Sequence, residues 1–75
     1  MDKNLIMFGS VTLAMKCREL LRNNGIISKL VRTPLKLRQK SCGYSLFVPA
    51  DFEFAMEIIG RYKIPILGTA AVDIQ

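Results

Sequence analysis

The chain has 75 residues, 51% of them hydrophobic, a formal net charge of +5 and no histidine. A chain this short accommodates one domain spanning residues 1–75 and burying roughly 60% of its extended surface, while its apolar content excludes a disordered segment. Without histidine the commonest metal ligand and general base are gone, and the positive balance favours an anionic partner: nucleic acid, an acidic protein surface or a small anion.

Near the N-terminus, Lys3 and the apolar stretch from Leu5 to Met15 superficially match a signal-peptide core, with Cys17 as a lipidation site. Lys16 stands immediately before Cys17, where a small residue is required, and no A-x-A-like site follows. No apolar run approaches the ~20 residues that span a bilayer. The expectation is a soluble, cytoplasmic protein with reduced thiols and no membrane contact.

Leu5-Ile6-Met7-Phe8, closed by Gly9, predicts a first strand buried on both faces. Ser10 fits an N-cap, with a helix from Val11 to about Asn23. At helical spacing Leu13, Ala14, Cys17, Leu20 and Leu21 share one stripe, which makes Cys17 a small core residue. Val11 and Met15 fall off the stripe. Asn24-Gly25 ends the helix, and Ile26 to Val31 reads as a second strand, closed by Thr33-Pro34 because proline cannot join a ladder.

Between Thr33 and Gly43 lies the most unusual chemistry. Arg32, Lys36, Arg38 and Lys40 precede Cys42, and Gly43 follows it. Neighbouring cations lower the cost of a thiolate, and a glycine lets a backbone N–H or a partner approach closely. The same residues also fit an ordinary solvated basic loop with an incidental cysteine. Leu35 and Leu37 are the residues expected to anchor the loop, and the loop is expected to be more mobile than the rest. Cys17 and Cys42 make neither a zinc pattern nor a C-x-x-C pair, so no metal and no cofactor are expected.

Tyr44 to Val48 predicts a third strand. Pro49-Ala50-Asp51 opens a second helix, with Pro49 in its first turn, Asp51 at its positive end, and Phe52, Ala55, Met56, Ile58, Ile59 and Tyr62 as its apolar face. Ile64 to Gly68 and Thr69 to Ile74 both have strand character. The second, or their junction, supplies a fourth strand, with Pro65 at an edge or strand start.

The order β-α-β-β-α-β implies an α+β, ferredoxin-like sandwich: a four-stranded sheet, expected to be mixed, with both helices on one face. Apolar residues at both parities of the first three strands leave an apolar second face suited to a homodimer or a ligand.

The strand–helix opening, the Gly25-Ile26 turn, Thr33-Pro34 and the Ser41-Cys42-Gly43 step into an apolar strand resemble a family of small bacterial proteins described as selenium/sulfur carrier-like. The resemblance runs from about Leu5 to Val72 and is weakest after Ile64. It implies a carrier cysteine at Cys42, with Ser41, Gly43, Arg38 and Lys40 around the carried anion, and donor and acceptor proteins for sulfur or selenium as partners. It implies a shuttle more than a free-standing enzyme.

Two other readings compete. One is a dimeric regulatory module whose basic loop takes a small anion. The other is RNA binding on the open sheet face, loosely suggested by Gly43 to Val48. RNA binding is disfavoured, because Cys42 and Pro49 depart from that pattern and stacking would rest on Tyr44.

Overall fold

The computed structural model describes residues 3–34 and 43–72. Its elements follow the predicted order: β1 (Leu5–Met7), α1 (Val11–Asn23), β2 (Lys29–Arg32), β3 (Tyr44–Phe47), α2 (Phe52–Arg61) and β4 (Gly68–Ala70). The strands form one sheet in the order β2-β3-β1-β4. This is the ferredoxin-like arrangement, in which each helix carries the chain across an intervening strand. Every neighbouring pair is antiparallel. The expected mixed sheet is thus corrected, since each crossover skips one strand and its two ends never pair.

Register decides the faces, because residues directly opposite in an antiparallel ladder share a face. Leu5 pairs with Phe47 and Ala70, and Ile6 with Leu46 and Thr69. Ile6, Phe8, Leu46 and Val48 pack with Ala14, Cys17 and Leu21 of α1 and Ala55, Ile58 and Ile59 of α2 in one buried cluster. Both helices therefore cover that face. Full burial of each large side chain in such a cluster contributes about 1.5–3 kcal/mol, and this layer dominates the stability of so small a chain.

The opposite face carries Leu5, Met7, Val31, Ser45 and Phe47. Leu5 and Ser45 are fully buried, and the other three are half-buried. The apolar second face is present, though interrupted by a hydroxyl.

Helix α1 has the predicted limits and cap. The Ser10 side chain accepts a hydrogen bond from the Leu13 N–H, and Val11 and Met15 lie exposed. At its C-terminus the Ile26 N–H donates to the Leu21 carbonyl and the Gly25 N–H to the Arg22 carbonyl, with Gly25 at φ +81°. This is a Schellman cap, and its apolar partners Leu21 and Ile26 are both buried.

Four local expectations need correction. Strand β2 begins at Lys29, three residues after the expected Ile26, because Ile26 is spent on the helix cap and Ile27 turns outward at 81% exposure. Helix α2 begins at Phe52, so Pro49 lies ahead of it. Asp51 is the N-cap, in left-handed conformation and with no side-chain capping bond. Tyr62 is the C-cap, 57% exposed and off the apolar face. Finally, β1 and β3 each stop one residue short of the expected limit, though Phe8 and Val48 remain buried.

The last strand, Gly68–Ala70, falls at the junction of the two candidate runs and lies at a sheet edge, with Pro65 ahead of it. Asn4 holds it. The Asn4 amide Nδ2 donates to the Val72 carbonyl at 2.8 Å, and Asn4 Oδ1 accepts from the Val72 N–H at 2.9 Å. The side chain thus replaces one rung of backbone pairing. No helix among the described residues is long and apolar enough to cross a membrane.

Candidate functional site: the root of the loop between β2 and β3

Of the residues proposed from sequence for the site, Arg38, Lys40, Ser41 and Cys42 lie outside the described residues, as do Leu35 and Leu37 and the expected mobility of the loop. Gly43 is described. It is buried and has φ +87°, a left-handed conformation that side chains with a Cβ adopt at a cost. Its carbonyl accepts the Thr33 N–H at 2.8 Å. The residue bonded to Cys42 is therefore held in the ladder, in a backbone conformation suited to glycine.

Side chains reinforce that junction. Arg32 and Tyr44 are paired in the ladder, and the Arg32 guanidinium carbon lies 5.6 Å from the Tyr44 ring centroid, within cation–π reach. One residue further, the hydroxyls of Thr33 and Ser45 hydrogen-bond at 2.6 Å, and both residues are buried. A buried hydroxyl is costly unless paired, so this contact favours one register at the mouth of the hairpin. Because Met7 pairs with Ser45, the end of β1 and the start of α1 lie at this same end of the sheet.

The hydroxyl pair is what sequence reasoning missed. From sequence alone Thr33 reads only as the residue before a proline, and Ser45 only as part of a strand. A polar residue within each of two apolar runs that must pair was the available signal.

The second thiol behaves as the helix periodicity predicts. Cys17 is fully buried in α1, and burial pushes its thiol up to about 11. A thiol so desolvated is a poor nucleophile near neutral pH. Among the described residues no group of histidine, cysteine, aspartate and glutamate side chains is arranged to hold a metal ion.

The structure also bears on RNA recognition. Tyr44 alternates with Ser45 and shares the parity of Leu46, which packs under the helices. It therefore belongs to the helix-bearing side of the sheet, against Arg32. A stacking platform on the open face would lack the aromatic on which the sequence-based reading relied.

These features define an antiparallel α+β sandwich of ferredoxin-like topology, with one thiol sealed in its core and a second carried on the segment that joins its two hairpin strands. Residues 3–70 match the model of the family described as "Putative Se/S carrier protein-like", and the chain belongs to that family. No curated protein and no solved structure matches it.

Proposed function

We propose that this protein carries sulfur or selenium on Cys42, between a donor and an acceptor protein in the reducing cytoplasm. The observation that carries the reading is the family match over residues 3–70, a span that includes Ser41-Cys42-Gly43. The anchored Gly43 and the sealed Cys17 support it, because they are consistent with one thiol presented and the other withheld.

The transfer needs no external oxidant. The Cys42 thiolate attacks the terminal sulfur of a donor persulfide, R–S–SH. An S–S bond to Cys42 forms, the donor S–S bond breaks, and the donor leaves as its thiolate. The terminal atom moves as neutral sulfur, and its proton is lost to solvent when the new persulfide ionises. An acceptor nucleophile then attacks that terminal atom and releases the Cys42 thiolate. The selenium version starts from a donor selenosulfide and balances in the same way. Such exchange is fast when the attacking thiol is accessible and ionised near ambient pH. Arg38 and Lys40 would lower the cost of both anions, and the Ser41 hydroxyl and Gly43 N–H would donate to the carried atom.

Intact mass spectrometry after incubation with a low-molecular-weight persulfide tests the reading. The wild type should gain one sulfur atom that dithiothreitol removes, and Cys42→Ser should gain none. An adduct retained in Cys42→Ser, or no adduct in the wild type, would overturn it. Tight binding of a small anion with no adduct would move the assignment to an anion-binding regulatory module.

A further inference from the structure

The groove between the end of α1 and the start of β2 is not used by the proposed thiol chemistry. Arg18, Glu19, Arg22, Ile26, Ile27 and Ser28 line a cavity of about 380 Å³ there. Three features of it are unusual for plain surface.

First, Ile27 is 81% exposed, the most exposed of the large apolar side chains described. Ile26 is consumed by the Schellman cap, and β2 does not start until Lys29, so of the two residues between them Ile27 is turned out into solvent.

Second, Arg18 and Arg22 stand one turn apart on α1. Arg22 shares an exposed ion pair with Glu19 at 2.7 Å, whereas Arg18 has no carboxylate partner among the described residues. Third, the Ser28 hydroxyl is buried and has no hydrogen-bond partner among the described residues. Buried polar groups are rarely left in that state.

From these features we infer that the α1–β2 groove is a docking site for an acidic segment of a partner protein, with a carboxylate against Arg18 and Arg22 and an apolar side chain packed on Ile27. The occupant follows from the chemistry of the walls. Arginine presents a planar fork that matches a carboxylate, and the cationic side chains are only partly neutralised by Glu19.

A free inorganic anion would satisfy the arginines and leave Ile27 in water. A nucleic acid would meet Glu19 at the rim and find no aromatic residue lining the groove on which to stack a base. A protein segment with both a carboxylate and an apolar side chain satisfies both walls. The same flank of α1 continues through Met15, three residues before Arg18, and Val11, four before Met15, both exposed. The contact can therefore lengthen along the helix.

The position suits a partner that also works at the loop. Strand β2 leads from Ser28 to Thr33, so the groove and the loop root lie roughly 16 Å apart at about 3.3 Å per residue. Docking leaves the loop root uncovered. The inference does not depend on the chemistry of Cys42 and can fail or hold independently of it.

The test is a titration of ¹⁵N-labelled protein with a short peptide bearing a single leucine between glutamates, followed by amide chemical shifts. Shifts should be confined to the C-terminal half of α1 and residues 26–28. Affinity should fall about tenfold or more in Arg18→Gln/Arg22→Gln and, separately, in Ile27→Ser. It should fall likewise when glutamine replaces the peptide glutamates or glycine replaces the leucine. These side chains are exposed, so the variants should stay folded, as their own spectra would show. Absence of binding, binding unaffected by either variant, or shifts on another surface would overturn the proposal. So would equal or tighter occupation of the groove by inorganic phosphate or by a single-stranded RNA oligonucleotide.

Discussion

Replacing Thr33 with valine keeps the shape of the side chain and removes one of two buried hydroxyls. Thr33 is 1% exposed and Ser45 is fully buried, so water cannot take the place of the lost partner. Ser45 Oγ has no other partner among the described residues. Leaving a buried hydroxyl unpaired costs about 1–3 kcal/mol. For a domain of this length, 1 kcal/mol lowers the melting temperature by about 4–8 °C, so Thr33→Val should melt about 4–24 °C below the wild type. The double variant Thr33→Val/Ser45→Ala removes both hydroxyls and leaves no orphan on the Ser45 side. It should be no less stable than Thr33→Val alone, because apolar replacement of both partners is close to neutral. Thermal and urea unfolding of the wild type, both single variants and the double variant give the coupling energy directly. If Thr33→Val stays within about 0.5 kcal/mol of wild type and the two substitutions add without coupling, the hydroxyl pair does not lock the hairpin, and the argument for an anchored loop root fails.

Three further outcomes follow from backbone and burial. Lys63 is exposed and sits at φ 55° in the C-terminal cap of α2, where its N–H donates to the Gly60 carbonyl and the next N–H to that of Ile59; Lys63→Gly should raise stability by about 1 kcal/mol, read as a higher melting temperature. Gly43→Ala places a Cβ at φ +87° and should cost about 1–2 kcal/mol in the same melt. Burial raises the folded Cys17 thiol to about 11, above the ~8.5–9 of an unperturbed cysteine. Between those values the unfolded chain has lost the proton and the folded chain retains it, so this contribution is fully present below about pH 9 and is lost as pH rises toward 11. The wild type should lose on the order of 2–3 kcal/mol more than Cys17→Ala across that window in urea midpoints against pH, and parallel curves for the two proteins would contradict the assignment.

Much of this architecture was legible because its signals are local and redundant. Ser10 before an apolar periodicity, and Gly25 after it, bracket α1 with the same chemistry that caps it in the structure. The continuous apolar run from Leu5 to Phe8 marks a central strand, which β1 is. What was not legible depends on partners distant in sequence. Ile26 looks like strand because it is β-branched, yet its burial against Leu21 in the cap is worth more than one more rung of an edge strand. The end of α2 carries no glycine signal, since Lys63 takes the left-handed position, so the sequence pattern extends the apolar face to Tyr62, which the structure leaves exposed. Asn4 ties down Val72 across nearly the whole chain, a contact that no window of sequence contains. At the site, the cluster of cations and Ser41-Cys42-Gly43 mark the loop in the sequence. The hydroxyl pair that anchors its root becomes visible only once the β2–β3 register is known.

The two cysteines bring these lines of argument to a single measurement. Carrier chemistry needs a thiol that is both reachable and ionised, and Cys17 is neither. It is fully buried, and with its thiol titrating near 11 the thiolate fraction at pH 8 is on the order of one in a thousand. An alkylating reagent reaches it only when α1 opens from the sheet, so its labelling rate should follow local or global unfolding and rise steeply in urea. Cys42 carries the opposite expectation under the carrier proposal. With Arg38 and Lys40 nearby it should label in the native protein, with a midpoint below the ~8.5 of a free cysteine. Iodoacetamide labelling against pH, followed by peptide mapping in Cys17→Ala and Cys42→Ser, should find one fast site in folded protein, assign it to Cys42, and recover the second only under denaturing conditions. If Cys17 labels as fast as Cys42 in the folded state, the core described for α1 is not closed around it. If Cys42 titrates at or above the free value, the basic loop does not activate it, and the carrier proposal loses its nucleophile.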